Sequence, residues 1–366
     1  MLQIQSPFQQ LFDTNGSPLD DGYVYIGTAN ANPETSPIAI YWDDAGTIPA
    51  AQPLRTLNGY LVRSGTPARV YTALEDFSMT VKDRQGRVVF SVLDATSLSN
   101  LQSSLASSSG SSLVGFLQAG TGAQLRTVQS KLRDVVSVKD FGAVGDGVTD
   151  DTTAIQNAIN QAAVIGGDVL FDELVYITAT LLPLSNVTLK LNGATLKLKN
   201  ATNGRIFNGS SGGVNFAILN GTLDGNQANN AGNYNLSGAS NFVDWDGLTF
   251  KNIVWQNVYR ASLILDGTTK NVVLENITHN NCGQANAFGM FAYALECYPG
   301  TSRIHIRNFS VNQHYGFGIH FYGCNNFVAE DLWFVNLTYG GAAIAITWTE
   351  AYRGHVSNVY CNLVDG

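Results

Sequence analysis

The sequence predicts an all-β chain in two parts: a compact unit of short strands, then, after a helical interruption, a solenoid of stacked strands. Three observations carry this. Charged residues make up only 13% of the 366 residues while Gly numbers 37, a composition that suits strands and tight turns better than helices, whose exposed faces need Lys and Glu. Short apolar runs alternate with polar positions through the first hundred residues, as half-buried strands require. Beyond residue 168 an Asn or Asp returns between two short apolar strands at nearly regular steps, and such a repeat is the signature of a solenoid.

Residues 1–95 hold the first part. Strands are expected at 22–27 (GYVYIG), 38–42, 68–71, 77–81 and 88–92, with turns at 43–46 (DDAG) and 83–86 (DRQG). Residues 96–137 read as a neck. Leu98, Leu101 and Leu105 form a short a/d stripe suited to a three-stranded coiled coil, and a Ser/Gly run at 107–112 then breaks it.

Residues 138–152 (VKDFGAVGDGVTDDT) lead into Ala154, Ile155, Ala158, Ile159 and Ala162 at helical spacing. A stack of coiled strands has an open end, and a short amphipathic helix would cover its core. Thr149 or Asp150 suits the helix cap. Asp140, Asp146, Asp150 and Asp151 are assigned to caps and turns rather than to a metal.

The anchors of the repeat are Asn192, Asn220, Asp246, Asn276, Asn308, Asp331 and Asn358, at steps of 28, 26, 30, 32, 23 and 27 residues. Asn and Asp tolerate the left-handed backbone of a tight bend, and stacked Asn side chains can bond one another as a ladder. The leucine-dense consensus of a leucine-rich repeat is absent. A parallel β-helix is therefore expected over residues 138–366.

Two stretches resemble known proteins. The pieces GYVYIG (22–27), Asn32-Pro33, Pro37-Ile38, Gln52-Pro53-Leu54 and Leu57-Asn58-Gly59-Tyr60 resemble, in order and spacing, the head-binding domain of short-tailed phage tailspikes. The run DFGAVGDGVTDDTTAIQNAI resembles the opening of pectate-lyase-like right-handed parallel β-helices. The resemblance implies a homotrimeric phage tailspike. Its residues 1–95 would attach to the phage tail, baseplate or other spike proteins of the virion. Its β-helix would bind, and as a depolymerase cleave, a host surface polysaccharide, either O-antigen or capsule. Hydrolysis, β-elimination and binding without cleavage all stay open.

Several classes are disfavoured. A net charge of −8 argues against a nucleic-acid partner. Met1 to Gln10 lacks the pattern of a signal peptide, and no apolar run is long enough for membrane insertion, so the chain is expected to be made in the host cytoplasm. Cys282, Cys297, Cys324 and Cys361 are expected as buried reduced thiols. No P-loop, Rossmann or HxxxH pattern occurs, and no cofactor or metal is expected. Gly366 falls eight residues after Asn358, inside a coil, so the natural chain is expected to continue, with part of any catalytic groove beyond it.

Coils stack about 4.8 Å apart. Aligning 263–266 (LILD) with 293–296 (YALE), 319–322 (IHFY) and 344–348 (IAITW) sends Asp266, Glu296 and Tyr322 to one outer face. His320 lies beside them and Glu350 follows the strand end. Carboxylates about 5 Å apart suit a retaining glycosidase, so Asp266 and Glu296 are the candidate catalytic pair. His320, Tyr322, Trp348, Glu350, Tyr293 and Tyr298 are the candidate substrate-binding residues. The competing reading makes Asp266 a turn residue before Gly267 and Glu296 a solvated strand end. Asp224, in GTLDGN, is read as a turn residue.

Overall fold

A computed structural model describes residues 9–74, 76–96, 103–230, 240–283, 292–338 and 345–362. The chain divides into two compact units, Met1–Lys131 and Leu132–Gly366.

The first unit is built on a six-stranded antiparallel sheet, in the order Thr66–Pro67, Tyr60–Arg63, Leu54–Leu57, Tyr23–Thr28, Asp76–Lys82, Val88–Thr96. Val24, Ile26, Leu54 and Val81 close its core with Leu11, Leu19 and Ile40. The motif residues have identifiable work here. Gln52 clamps the central strand: its amide oxygen accepts from Ile26 N at 2.6 Å, and its Nε2 donates to the carbonyls of Ile26 and Ile38, both at 2.8 Å. Asn58 and Gly59, at φ 51° and 84°, make the two-residue hairpin turn that joins paired Leu57 and Tyr60, where both central residues must be left-handed. Gly27 lets Pro33 approach, since a Cβ there would lie 2.3 Å from the Pro33 Cα.

Of the leucine stripe expected to form a coiled coil, Leu98 and Leu101 lie outside the described residues. Residues 110–132 form a 3₁₀ turn (Gly110–Leu113), a hairpin of Gly115–Leu117 with Leu125–Thr127, and a short helix, Val128–Leu132. The Ser/Gly run thus ends in a turn rather than in a free linker.

The second unit is a right-handed parallel β-helix. Its long sheet runs Val136–Ser137, Asp168–Leu170, Val187–Lys190, Gly213–Asp224, Trp245–Gln256, Lys270–Cys282, Ser302–Tyr315, Asn325–Thr338 and Tyr352–Asn362, each strand paired in parallel with the next coil. A short sheet stacks beside it: Phe207–Gly209, Ser240–Val243, Leu263–Asp266, Tyr293–Cys297, Phe317–Tyr322 and Ile346–Thr349. The core between them is one continuous cluster that includes Phe216, Phe250, Trp255, Phe309, Phe321 and Phe334. Helix α1 (Thr152–Ile165) joins that cluster through Ile155, Ala158, Ile159 and Ala162, all fully buried, and so covers the first coil as the apolar spacing required.

The four acids before α1 are consumed by caps and turns. Asp150 Oδ1 accepts from Thr152 N at 3.1 Å and from the Thr152 hydroxyl. Asp151 occupies the N-cap position but turns back to Val144 N (2.7 Å) and Gly145 N (3.0 Å). Asp146 holds Val148 N and Thr149 N, and Asp140 completes a capping box with Ser137.

The anchor ladder is present with one correction. Asn220, Asn252, Asn276, Asn308, Asp331 and Asn358 stand in register on successive coils, all with φ between 52° and 60°. Asn192, at φ 50°, takes the same corner one coil earlier, where Gly193 N donates to Asn220 O at 2.7 Å. Asn252, not Asp246, is the anchor of its coil. Asp246 lies beside Gly247 at another corner, the column of Asn215, Asn271, Arg303, Asn326 and Arg353, also left-handed. Along the first column Asn252 Nδ2 donates to Asn220 Oδ1 at 2.6 Å, Asn276 to Asn252 at 2.7 Å, and Asn308 to Asn276 at 2.8 Å. Asn358 donates to Asp331 at 2.9 Å, but an ionised Asp331 has no proton to donate onward to Asn308.

Replacing Asn276 by Ala therefore removes two ladder bonds and places a Cβ residue without side-chain help in the left-handed region. The expected cost is about 2–3 kcal/mol, read as a lower urea midpoint at unchanged slope. Recovery of the midpoint in Asn276→Gly would assign the loss to backbone strain rather than to the ladder.

Cys282, Cys297 and Cys324 are buried free thiols as expected, whereas Cys361 is exposed. Cys361 stands in register with core Phe334, on the last described strand of the long sheet, where no described coil covers it.

Candidate functional site on the outer face of the short sheet

The short sheet points alternate residues into the core and outward. Leu263 and Leu265, Leu295 and Cys297, and Ile319 and Phe321 join the core, which leaves Ile264, Glu296, His320 and Tyr322 outside it. The register differs from the sequence alignment by two residues at each step: Ile264 pairs with Glu296, Glu296 with His320, and His320 with Thr347. A shift of two keeps every side chain on its expected face but slides it along the strand.

Asp266 and Glu296 are consequently not directly opposite. Two residues of rise combined with one coil spacing put their Cα atoms about 8 Å apart, in place of the expected 5 Å. Asp266 is partly exposed, and its Oδ1 accepts from Gly267 N at 2.7 Å, so it serves the turn. Glu296 is the opposite of a solvated strand end, since only 2% of it is exposed. Its two carboxylate oxygens each lie 3.4 Å from Arg260 Nη2, and the Tyr298 hydroxyl also bonds it. Burial pushes the Glu296 pKa up, and the Arg260 charge and these hydrogen bonds only partly oppose it.

Four of the proposed binding residues gather around this carboxyl. Tyr293 stacks on His320 with ring centroids 4.6 Å apart, and His320 on Tyr322 at 5.8 Å and 9°. Tyr298 meets Tyr322 edge-on at 6.3 Å. Burial lowers the His320 pKa, which keeps the imidazole neutral near pH 7. Burial and then the neighbouring Glu296 raise the Tyr293 and Tyr298 phenols.

Two candidates lie elsewhere. Trp348 is in register with core Phe321 and packs edge-on against Phe327 at 4.7 Å, with its indole N–H on Ala351 O at 2.8 Å. It belongs to the core column, and its exposure reflects its place on the last described strand of the short sheet. Glu350, at φ 49°, follows Thr349, the register partner of Tyr322. It therefore occupies the corner that Gly323 fills one coil earlier.

Arg260 was missed by sequence reasoning. The available signal was its isolation: it is the only basic residue between Lys251 and Lys270, placed directly before an apolar strand. Arg205 is a second guanidinium close enough for Arg260 to depress its pKa, after burial as the main cause. It also bonds Asn208 Oδ1 at 3.3 Å. Two other histidines are core residues. His279 is stacked on Trp255 at 5.3 Å and lies 4.8 Å from Phe309, and His314 is wholly buried. Among the described residues no cluster of His, Cys, Asp and Glu forms a metal site, and no helix is long and apolar enough to cross a membrane.

No family model matches the chain. The tail spike protein of Shigella phage Sf6 is 34% identical over 164 residues, which are 39% of this chain and 26% of that protein. The plasmin- and fibronectin-binding protein A of Streptococcus pneumoniae is 31% identical over 178 residues, 41% of this chain and 25% of the relative. A capsule K30/K69-specific depolymerase of Klebsiella phage K64-1 is 47% identical over 60 residues, 16% of this chain and 7% of that protein. The chain thus spans about a quarter of the length of the first two relatives. Among solved structures, a mutant tailspike protein of E. coli bacteriophage HK620 in complex with a hexasaccharide superposes with a TM-score of 0.52 at 16% identity, covering 72% of this chain and 56% of that one. The two share the parallel β-helix fold.

Proposed function

We propose that the chain is part of a phage tailspike that binds a host surface polysaccharide and cleaves it, with Glu296 as proton donor. The observation that carries this is the Glu296 carboxyl itself, buried on the outer face beside Arg260 and ringed by Tyr293, Tyr298, His320 and Tyr322. A general acid needs a raised pKa, and burial supplies it here. The sequence likeness to a phage tail spike and to a capsule depolymerase supports the same reading.

With the register slid by two and Cα atoms about 8 Å apart, Asp266 and Glu296 are proposed as an inverting pair, whose carboxyl groups stand roughly 6.5–9.5 Å apart with room for a water. Asp266 is the proposed base. His320, Tyr322, Tyr293 and Tyr298 supply stacking and hydrogen-bonding surface for the sugar. In the same proposal residues 1–95 attach the spike to the virion, and the chain assembles as a homotrimer. Light scattering on the purified protein is expected to give three times the 39.3 kDa of the chain.

A second reading, β-elimination, has one observation in its favour. Arg260 lies against Glu296, and Arg205 is close enough to Arg260 to be depressed by it, so two guanidiniums neighbour each other, an arrangement suited to neutralising the carboxylate of an acidic sugar. Incubation with purified O-antigen and capsule separates the readings. New reducing ends without ultraviolet absorbance of an unsaturated sugar indicate hydrolysis, and both signals together indicate a lyase. Neither signal, on a polysaccharide that the protein binds, would reject cleavage.

A further inference from the structure

The long sheet carries two outward faces of different character. On the face before the anchor column, the outward positions of successive coils are Lys251, Glu275, Arg307 and Glu330, with His305 and His355 beside them. The face after the anchors differs. There Asp224, Gln256, Asn280, Asn312, Val335 and Asn362 stand in one register column. Thr222, Val254, Thr278, Ser310, Trp333 and Tyr360 form the column beside it. From Gln256 onward neither column holds an Asp, Glu, Lys or Arg.

One end of this face is a pocket of about 330 Å³ lined by Lys197, Asp224, Asn226, Gln227, Asn257 and Asn281. Its polar groups are fixed in advance. Asp224 Oδ1 accepts from Asn226 N at 2.7 Å, and Oδ2 accepts from Gln256 Nε2 at 2.9 Å and Asn257 Nδ2 at 3.1 Å. Gln227 is only 7% exposed, yet its Oε1 is a buried acceptor with no hydrogen-bond partner among the described residues, while its Nε2 reaches Gly283 O at 3.4 Å. A buried acceptor left unpaired is costly, so it marks a place where a donor is wanted. The other end carries two exposed aromatics, Trp333 and Tyr360, 39% and 54% accessible and register neighbours.

From these observations we infer that this face is a second glycan-binding track, separate from the Glu296 site and selective for a neutral, hydroxyl-rich chain. The pocket anchors one sugar through Lys197, Asp224 and the Gln227 amide. The Gln256–Asn280–Asn312 amides exchange hydrogen bonds with hydroxyls along the chain, and Trp333 with Tyr360 gives a stacking platform. Five coil spacings separate Asp224 from Asn362, about 24 Å, long enough for an oligosaccharide rather than one sugar. The inference rests on the glycan-binding part of the proposed function, but not on cleavage.

The test uses the full chain with dextran and mannan oligosaccharides as neutral probes and oligogalacturonate of equal length as the charged one. Tryptophan fluorescence and saturation-transfer NMR report binding. A neutral probe is expected to bind, with affinity about tenfold weaker in Trp333→Ala, weakened in Lys197→Met, mostly restored in Trp333→Phe and unchanged in Glu296→Gln. Lys197 is partly exposed, so Lys197→Met keeps the test open if Trp333→Ala fails to fold, and thermal melting checks both. Equal affinity in Trp333→Ala and Lys197→Met, no neutral probe bound, or preference for oligogalacturonate would overturn the inference. So would failure of acrylamide to reach Trp333 in the native assembly, which would make the face a contact between copies. Cleavage lost in Glu296→Gln with affinity intact in Trp333→Ala rejects the track and leaves the depolymerase. Affinity lost in Trp333→Ala without cleavage by the wild type does the reverse.

Discussion

Glu296→Gln is expected to slow release of reducing ends by about 100-fold or more, the usual contribution of a positioned general acid, while glycan affinity stays within about threefold. The amide keeps the shape and accepts from Arg260 and Tyr298 through its oxygen, but it has no proton to give. The pH profile sharpens the test. A raised Glu296 pKa keeps the acid form present above the usual carboxylate range, so cleavage should decline as pH rises through that pKa. Arg260→Lys is expected to move this alkaline limb, because the planar guanidinium that holds Nη2 3.4 Å from both carboxylate oxygens is lost. Wild-type cleavage rates in Glu296→Gln would remove Glu296 from the mechanism, and an unmoved limb in Arg260→Lys would remove Arg260 from its control.

The second large effect concerns acid stability. His279 and His314 sit in the core as neutral rings. His279 Nδ1 lies 2.9 Å from Ser262 Oγ, and His314 Nε2 lies 3.3 Å from Ala292 O. Burial brings His314 down from 6.5 to about 4. Burial, and then the charge of His314, hold His279 well below its usual value. Because the folded pKa values are depressed, the unfolded chain binds these protons first. Stability is therefore whole above about pH 6.5 and is lost as pH falls from there towards 4. His314 alone is worth about 3 kcal/mol over that window, at 1.4 kcal/mol per pH unit. Urea unfolding across the window checks this, and His314→Gln should flatten the curve. Parallel decline of variant and wild type would place the acid lability elsewhere. Glu296 acts in the opposite sense, since a raised acid loses stability as pH rises above the unfolded value near 4.5. Only the comparison with the variant isolates the histidines.

The covering helix was legible because its five apolar residues at helical spacing admit one face. The repeat was legible because a tight bend selects Asn and Asp, and six of the seven anchors stand in the ladder. Asp246 misled for a physical reason: each coil has more than one left-handed corner, and Asp246-Gly247 satisfies the chemistry of a corner other than the anchor column. The short-sheet register was hidden by the two-residue side-chain period. Sliding LILD against YALEC by two preserves every inward and outward assignment, and loops of unequal length between the strands remove any count that would settle it. The site was half legible. Glu296, Tyr298, His320 and Tyr322 converge because alternation placed them outward, whereas Tyr293 has the parity of core Leu295 and joins them at the start of its strand by stacking on His320. Trp348 has the strand parity of Ile346 and stands in register with core Phe321, so alternation itself assigns it to the core column, and Arg260 enters from a turn that periodicity does not describe. Tyr298 follows Glu296 by two residues and so shares its face, but Arg260, 3.4 Å from both Glu296 oxygens, reaches it from outside the strand.

Cleavage through Glu296 is tested most directly by the length distribution of purified host O-antigen or capsule after incubation with the protein, followed by size-exclusion chromatography. The expected result is progressive shortening by the wild type and an unchanged, still bound polymer with Glu296→Gln. Shortening at equal rates by both proteins, or no shortening of any polysaccharide that the wild type binds, would contradict it.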